Sequence, residues 1–409
     1  MSEFQRIAYS DNMDTKVIVG IVAAVVVVGA IAGVIIATHG DDDGSSDHGY
    51  TTLARTNEMF PGHTCCVIIA KDSYLTAHSD ESIRFLAGYV KGVNYLNKAL
   101  ADKDSEEYKK VMEVANTQLK DTGISEEEIA QSLANITYLY QDSTGDLTGL
   151  KGDVTALLDS LTFDRTPDKA AIMSEFVDDT YIKQVSTATG ESKAKATISV
   201  SVITGDVHQI GLHLANQLGV FDEYGIGLKI SDGANGGAIA TNVMMEGADG
   251  TDFGLLGAPP ATINTVNKEL IEKDLSNKFH IIARVNSEGS GLYIKESVLD
   301  DKNADIPARN GVAFYAKTGN TYTISAENAK AWGGLVFATP GMTSIQHVQL
   351  SQIADKLGLK FQLFKEGESL SDDTIYFVTN LATSDKVFAD VNVNAGIIWE
   401  PQFQRIISE

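Results

Sequence analysis

Four short segments combine glycine with hydroxyl, amide, carboxylate or imidazole groups. They are Thr204-Gly205-Asp206-Val207-His208, the GANGG run Gly233 to Gly237, Gly257-Ala258-Pro259, and Gly341-Met342-Thr343-Ser344. Each falls where a strand-like run gives way to a helix-like one. Helix N-termini present unpaired N–H groups and roughly half a unit of positive charge. Glycine lets a backbone approach a ligand closely, and Thr or Ser adds a hydroxyl donor. The chemistry expected of such turns is capture of a small molecule through Thr204, Gly205, Asp206, His208, Asn235, Gly236, Gly257, Ala258, Thr343 and Ser344. Trp399 and Glu400 come at another strand end, where an indole can line a cleft and a carboxylate can hold an amine. Each residue also has a plainer role. GANGG is equally a tight turn before a helix, and Asp206 and Ser344 are natural N-caps. His208 can be a partly exposed helix residue, Trp399 can be core, and Glu400 beside Pro401 can simply fix the turn.

Catalytic signatures are missing. The sequence has no G-x-S-x-G, H-E-x-x-H, Walker A or spaced Cys/His set. Cys65 and Cys66 are its two cysteines, so no disulfide framework is possible. Their Cα atoms lie about 3.8 Å apart, below the usual disulfide range, and on a strand their side chains face opposite ways. One of them is expected in the core. His39 and His48 sit among several Asp residues, but in a hydrated tether that would have to be ordered to hold a metal. No metal or cofactor is expected.

The elements that would position the turns follow from periodicity. From 197 onward strands and helices alternate. ISVSVI leads to a helix from His208 to Leu218, GLKISD to a helix from Ala238 to Met245, and FGLLG to APPATINTVNKEL. KFHIIARV and GLYIKE add strands. A second set begins at GLVFATPG, with a helix from Ser344 to Leu357, then KFQLF, TIYFV and AGIIWEP. This alternation indicates parallel α/β sheets, and two such sets in succession indicate two lobes. Residues 64 to 184 differ: after an apolar TCCVIIA they are mainly helical. Ser79-Asp80 caps a helix through Leu100, and further helices are expected over Ser105 to Gln118, SEEEIAQSLANI and KAAIMSEFVDDTYI.

Of 409 residues, 43% are hydrophobic and 21% charged, which excludes a largely disordered chain. Lys plus Arg number 32 against 55 Asp plus Glu, a net charge of -23, so nucleic acid is excluded as a wholesale partner. Val17 to Ala37 is 21 residues without a charge, which spans roughly 30 Å as a helix, the thickness of a bilayer core. Arg6 and Lys16 precede it and Asp41 to Asp43 follow, which keeps the N-terminus (1–16) inside and the body outside. An uncleaved signal anchor is expected, because THGDDD lacks a small-x-small cleavage site. An acidic linker is expected over 38–60.

VITGDVHQIGLHLANQLGVFDEYGIGLKI resembles the first strand, helix and second strand of substrate-binding proteins of ABC importers. The branch it resembles handles nitrate, sulfonates, taurine and thiamine-pyrimidine precursors. LGVFDEYGI is the most specific piece. GANGGAIATNVMMEGADGTDFGLLGAPPA, TPGMTSIQHVQLSQIADKLGLK and AGIIWEPQFQRI resemble later sections, so the likeness covers most of 197 to 409. The family's C-terminal tail is absent there, while HTCCVIIAKDSYLTAHSDESIRFLAGYVKGVNYLNKAL reads like it. The resemblance implies a circularly permuted, two-lobed, periplasmic-binding-protein-like (type II) α/β fold behind an N-terminal transmembrane helix. Family tail falls at 61–184, a permutation linker at 185–196, lobe I at 197–290 and lobe II at 291–409. The family implies a membrane-anchored receptor, single-pass and facing outside, that passes a small anionic or heterocyclic solute to an ABC permease and its ATPase without catalysis. Two alternatives stand beside it: an enzyme of the same fold that makes the thiamine pyrimidine, whose cysteine run is longer than Cys65-Cys66, and a sensory ectodomain without a permease.

Overall fold

The computed structural model describes residues 49–160, 172, 175–189, 195–203, 205–245, 247, 250–271 and 278–409. The apolar segment 17–37, His39, His48 and Thr204 lie outside the described residues. Among the described residues no helix is long and apolar enough to cross a membrane.

The chain is a mixed α/β protein built on two six-stranded sheets. In chain order the first strands are β1 (Tyr50–Arg55), β2 (Thr64–Lys71), β3 (Ile136–Tyr138), β4 (Ala196–Ile203), β5 (Ile226–Gly233), β6 (Phe253–Gly257), β7 (Phe279–Glu288) and β8 (Ser290–Lys295). Two short ribbons follow, β9 (Ala308–Arg309) with β10 (Val312–Ala313) and β11 (Ala316–Thr318) with β12 (Thr321–Thr323). The last are β13 (Val336–Ala338), β14 (Lys360–Leu363), β15 (Thr374–Val378) and β16 (Ala395–Trp399). Sheet I has the order β3-β7-β2-β6-β4-β5, and sheet II the order β1-β8-β16-β13-β15-β14.

Within sheet I, β5, β4 and β6 are parallel, and β2 runs antiparallel between β6 and β7. All eight residues of β2 are buried, which is why TCCVIIA reads as an unbroken apolar run rather than an alternation. The described residues of 64–184 therefore do not pack apart from the α/β portion. The helix Ser79–Leu100 buries Phe85, Leu86, Tyr89, Val93 and Leu96, at helical spacing, against the same core as Ile198, Val200 and Leu212. A side chain of that size contributes about 1.5–3 kcal/mol when buried. The helix crosses Ile210–Gln217 so closely that a Cβ on Gly92 would lie 2.6 Å from both Ala215 Cβ and the Gly211 carbonyl oxygen. Phe85 stacks on Phe221 with ring centroids 5.7 Å apart.

Sheet II has β16, β13, β15 and β14 parallel, with β8 antiparallel beside β16 and β1 at the outer edge antiparallel to β8, so that β1 runs in the direction of β16. Its core gathers Leu292, Phe314, Trp332, Phe337 and Ile353. The indole N–H of Trp332 donates to the Phe314 carbonyl at 2.8 Å, so the polar tip of that buried ring is satisfied.

Three expectations change. The linker expected over 38–60 ends sooner, because Tyr50–Arg55 forms β1 and pairs with β8. The helix expected over KAAIMSEFVDDTYI stops by Phe176: Val177 bridges to Ile281, and the Asp178 carboxylate accepts from Thr180 N at 2.8 Å. That local bond offers the backbone an alternative to helix. The stretch 185–196 overlaps a 3₁₀ turn, Ile182–Thr187, and the first residue of β4, Ala196, so a linker there spans at most 188–195, of which 190–194 lie outside the described residues.

The chain crosses from sheet II to sheet I between β1 and β2, and returns between β7 and β8 at the single residue Gly289, whose φ is +83°. β7 runs parallel to β6, β4 and β5, since both β7 and β6 oppose β2. β8 begins at Ser290 opposite Trp399, the carboxyl end of β16. The carboxyl edges of the two parallel sets therefore meet at this crossover.

Candidate functional site

The carboxyl edge of sheet I carries most of the expected residues. Gln209 splices its centre: its amide oxygen accepts from Ile203 N at 3.0 Å and its amide nitrogen donates to Leu255 O at 3.1 Å. That clamp holds the turn after β4 in place. Asp206 caps the short 3₁₀ turn Val207–Gln209 by accepting from His208 N at 2.8 Å. The same oxygen lies 2.5 Å from His208 Nδ1. Nε2 of that ring lies 3.0 Å from the Gly289 carbonyl.

His208 is 1% exposed. It is neither a partly exposed helix residue nor an open ligand contact, and the helix after it begins only at Ile210. Both ring nitrogens face acceptors, which requires an N–H on each and so a charged ring. Burial opposes that charge, but Asp206 and Cys65 together hold the His208 pKa well above the ordinary histidine value.

Cys65 and Cys66 lie at the same edge, Cys66 opposite Gly257 on β6 and Asn286 on β7. Their side chains do not diverge as a regular strand requires. The pairing of β2 with β7 shifts register between Thr64 and Cys66 and again between Cys66 and Val67. This irregularity turns both thiols together, with Sγ atoms 3.7 Å apart. Both are buried rather than one. The Cys66 hydrogen bond, and after it the charge of His208, hold the Cys65 thiol well below the ordinary cysteine range. Cys66 is pushed well above it by that same bond to Cys65 and by burial.

The remaining expected residues divide between cap, core and edge. Asn235 is exposed and caps the helix Gly236–Met244, its side-chain oxygen accepting from Ala238 N at 3.0 Å. Gly236 sits against Pro260, and Gly257 and Ala258 lead straight into the helix Ala258–Ile271. Gly205 is half-buried at φ +71°. Thr343 is half-buried, and Ser344 caps the helix Ile345–Leu357 by accepting from His347 N at 3.2 Å. That helix reaches the crossover, where Gln346 donates to Ser290 Oγ at 2.8 Å.

Trp399 is half-buried beside Ser290. Glu400 departs most from expectation. Its carboxylate is fully buried and accepts from Asn135 at 2.8 Å, Gln404 at 2.9 Å and Ser132 at 3.1 Å, with Arg55 Nη1 at 3.7 Å. It therefore has no oxygen to spare for a ligand amine. Its backbone N–H donates to the Gly289 carbonyl at 2.9 Å, the oxygen that also faces His208.

Sequence reasoning passed over Gln209, Gly289 and Gln346, which build this junction. It also passed over Gln349, a buried side chain whose amide nitrogen and oxygen both lack a partner. No local pattern marks any of them.

Among the described residues, cavities lie elsewhere. One of about 490 Å³ is lined by Asn94, Asn97, Tyr140 and Arg284, and one of about 230 Å³ by Arg55, Glu58, Tyr315 and Tyr322. None of the expected strand-end residues lines either. Among the described residues no three His, Cys, Asp or Glu side chains are grouped to hold a metal ion.

The class defined so far is a mixed α/β protein with two sheets joined edge to edge at a two-strand crossover. Comparison with protein families, with curated proteins and with solved structures finds no match.

Proposed function

We propose that this chain is a membrane-anchored, extracytoplasmic solute receptor of the ABC-importer type, with a circularly permuted, two-lobed, periplasmic-binding-protein-like fold. The observation that carries the reading is the meeting of two carboxyl edges at the Glu288–Ser290 crossover. Open α/β sheets take ligands outside the carboxyl ends of their strands, so two such edges facing across a crossover frame a solute cleft. The central place of β2 in sheet I, and the seat of Ser79–Leu100 on Ile210–Gln217, support the permutation. A family tail placed ahead of the family head completes a sheet that the head alone would leave without β2. The two connections between β1 and β2 and between β7 and β8 act as the hinge about which the lobes close.

The solute is a small anionic or heterocyclic molecule held by backbone N–H groups near Gly236, Gly257 and Thr343. The closed form is presented to a permease served by an ATPase. Residues 17–37 supply the anchor.

A thermal-shift screen of the full-length chain with taurine, alkanesulfonates, nitrate and aminopyrimidines tests this reading. Stoichiometric binding raises Tm, since a ligand at about 100 times its Kd adds about 2.7 kcal/mol. Turnover of an aminopyrimidine precursor would replace the receptor with the enzyme alternative. A flat response to all four classes, with no permease gene beside this one, would favour the sensory ectodomain.

A further inference from the structure

We propose that Cys65 and Cys66 form a thiol–disulfide exchange site, at which Cys65 attacks a low-molecular-weight disulfide and Cys66 resolves the product into a bridge between the two neighbours. Three geometric facts carry this. The register shift in β2 brings two adjacent thiols to 3.7 Å, where a regular strand would point them apart. His208, whose charge favours the Cys65 thiolate, has its ring anchored 2.5 Å from an Asp206 carboxylate oxygen and 3.0 Å from the Gly289 carbonyl. The pair also opens the strand that leaves the β1–β2 connection, at the junction of the two sheets. The charged and titratable groups around it are His208 and Asp206 from the turn after β4, His63 from the connection, and Tyr89 from the Ser79–Leu100 helix.

Their effects are unequal. Cys65 is favoured as thiolate and Cys66 as thiol, which is the division of labour between an attacking and a resolving group. The chemistry balances. The Cys65 thiolate attacks one sulfur of R–S–S–R, forming a mixed disulfide and releasing RS⁻. Cys66 then gives up its proton and attacks the Cys65 sulfur, forming the bridge and releasing a second RS⁻. The two protein thiols are oxidised and one small disulfide is reduced to two thiols. A bridge between neighbouring residues is strained, and strained bridges are readily reduced, so the modification is reversible. At 3% and 5% exposure the thiols react only when the junction opens locally. The proposal is independent of which solute the protein holds.

The test uses the full-length chain, oxidised glutathione and intact-mass spectrometry with peptide mapping. The native protein should lose two hydrogens at Cys65-Cys66 and retain no glutathione. Cys66→Ser should hold one glutathione on Cys65, since nothing resolves it, and Cys65→Ser should remain unmodified under the same exposure. His208→Asn in the Cys66→Ser background should slow labelling about tenfold near neutral pH. Equal labelling of the two single variants, a stable adduct on the native chain, or no reaction of the native chain would each overturn the proposal. Circular dichroism identifies a variant that fails to fold, and the native mass change then decides alone.

Discussion

His208 Nε2 lies 3.0 Å from the carbonyl oxygen of Gly289, which ties the first turn of sheet I to the single residue by which the chain leaves that sheet. Gly289 serves two needs there. Its φ of +83° suits glycine, and a Cβ would stand 2.4 Å from His208 Nε2 and 2.7 Å from Ile136 Cγ1. Gly289→Ala should cost about 2–4 kcal/mol, combining backbone strain with a clash against buried atoms. Urea denaturation measures this, with the midpoint falling at unchanged slope. Adding His208→Ala should restore only part of the loss, because the strain and the Ile136 contact remain. A Gly289→Ala protein as stable as the parent would mean that the crossover is not held as described.

Gly92 reports whether the two stretches of sequence share one core. It approaches Ala215 and the Gly211 carbonyl across a helix pair whose members are more than a hundred residues apart in sequence. Gly92→Val should destabilise by about 1–3 kcal/mol through overpacking. Circular dichroism and tryptophan fluorescence should record one shared transition, moved to lower denaturant. Ala215→Gly should relieve only part of the loss, since the Gly211 carbonyl stays in place. Hydrogen exchange in which Ser79–Leu100 loses protection while β4 and Ile210–Gln217 keep theirs would show that the helix belongs to an independent unit.

Much of this arrangement is legible in the sequence where the cause is local. The continuous apolar run TCCVIIA marks β2 as buried on both faces, and the spacing of Leu86, Val93 and Leu96 marks a helix with one packed side. Strand-helix alternation after residue 197 follows from the same periodicities. What was illegible depends on distant partners. YTTLAR looks like the end of a polar tether and becomes β1 only because β8, some 240 residues later, pairs with it. The register shift that joins Cys65 to Cys66 is a property of β2 against β7, not of β2 itself. Glu400 looks available to a ligand until Ser132 and Asn135 close on it, 268 and 265 residues away in sequence.

Glu400 gives the junction a pH dependence that can be isolated. Burial raises its pKa above the ordinary glutamate value, and the bonds from Gln404, Asn135 and Ser132, with the charge of Arg55, offset only part of that rise. Between the ordinary value and the raised one, the folded chain binds more protons than the unfolded chain. Stability from this group therefore falls as pH rises through that window. Glu400→Gln should flatten the slope there at little cost. An amide oxygen keeps the Asn135 and Gln404 bonds, while Ser132 can accept from the amide nitrogen and still donate to Glu128 O at 2.6 Å. Glu400→Leu should cost about 2–4 kcal/mol, because buried amide donors lose their acceptor. Urea titrations at a series of pH values distinguish the two. Equal losses for both variants would mean that the carboxylate is not the acceptor for these donors.

His347 provides the opposite sign. It packs edge-on to Phe377, with centroids 4.7 Å apart, and near Phe361 at 5.1 Å. Burial in that apolar setting lowers its pKa from 6.5 to about 4. The folded protein thus keeps the ring neutral while the unfolded chain takes up a proton, so stability falls as pH drops from 6.5 toward 4. The full effect is on the order of 3 kcal/mol, because a tenfold change in proton affinity corresponds to about 1.36 kcal/mol. His347→Phe should remove most of that acid sensitivity and cost little at neutral pH. Thr339 Oγ1, which faces His347 Nδ1 at 3.3 Å, still has the Val378 carbonyl as acceptor. Comparing the denaturation midpoints of both proteins at neutral and mildly acid pH measures the difference. A variant whose stability drops in acid as steeply as the parent's would place the responsible proton on another group.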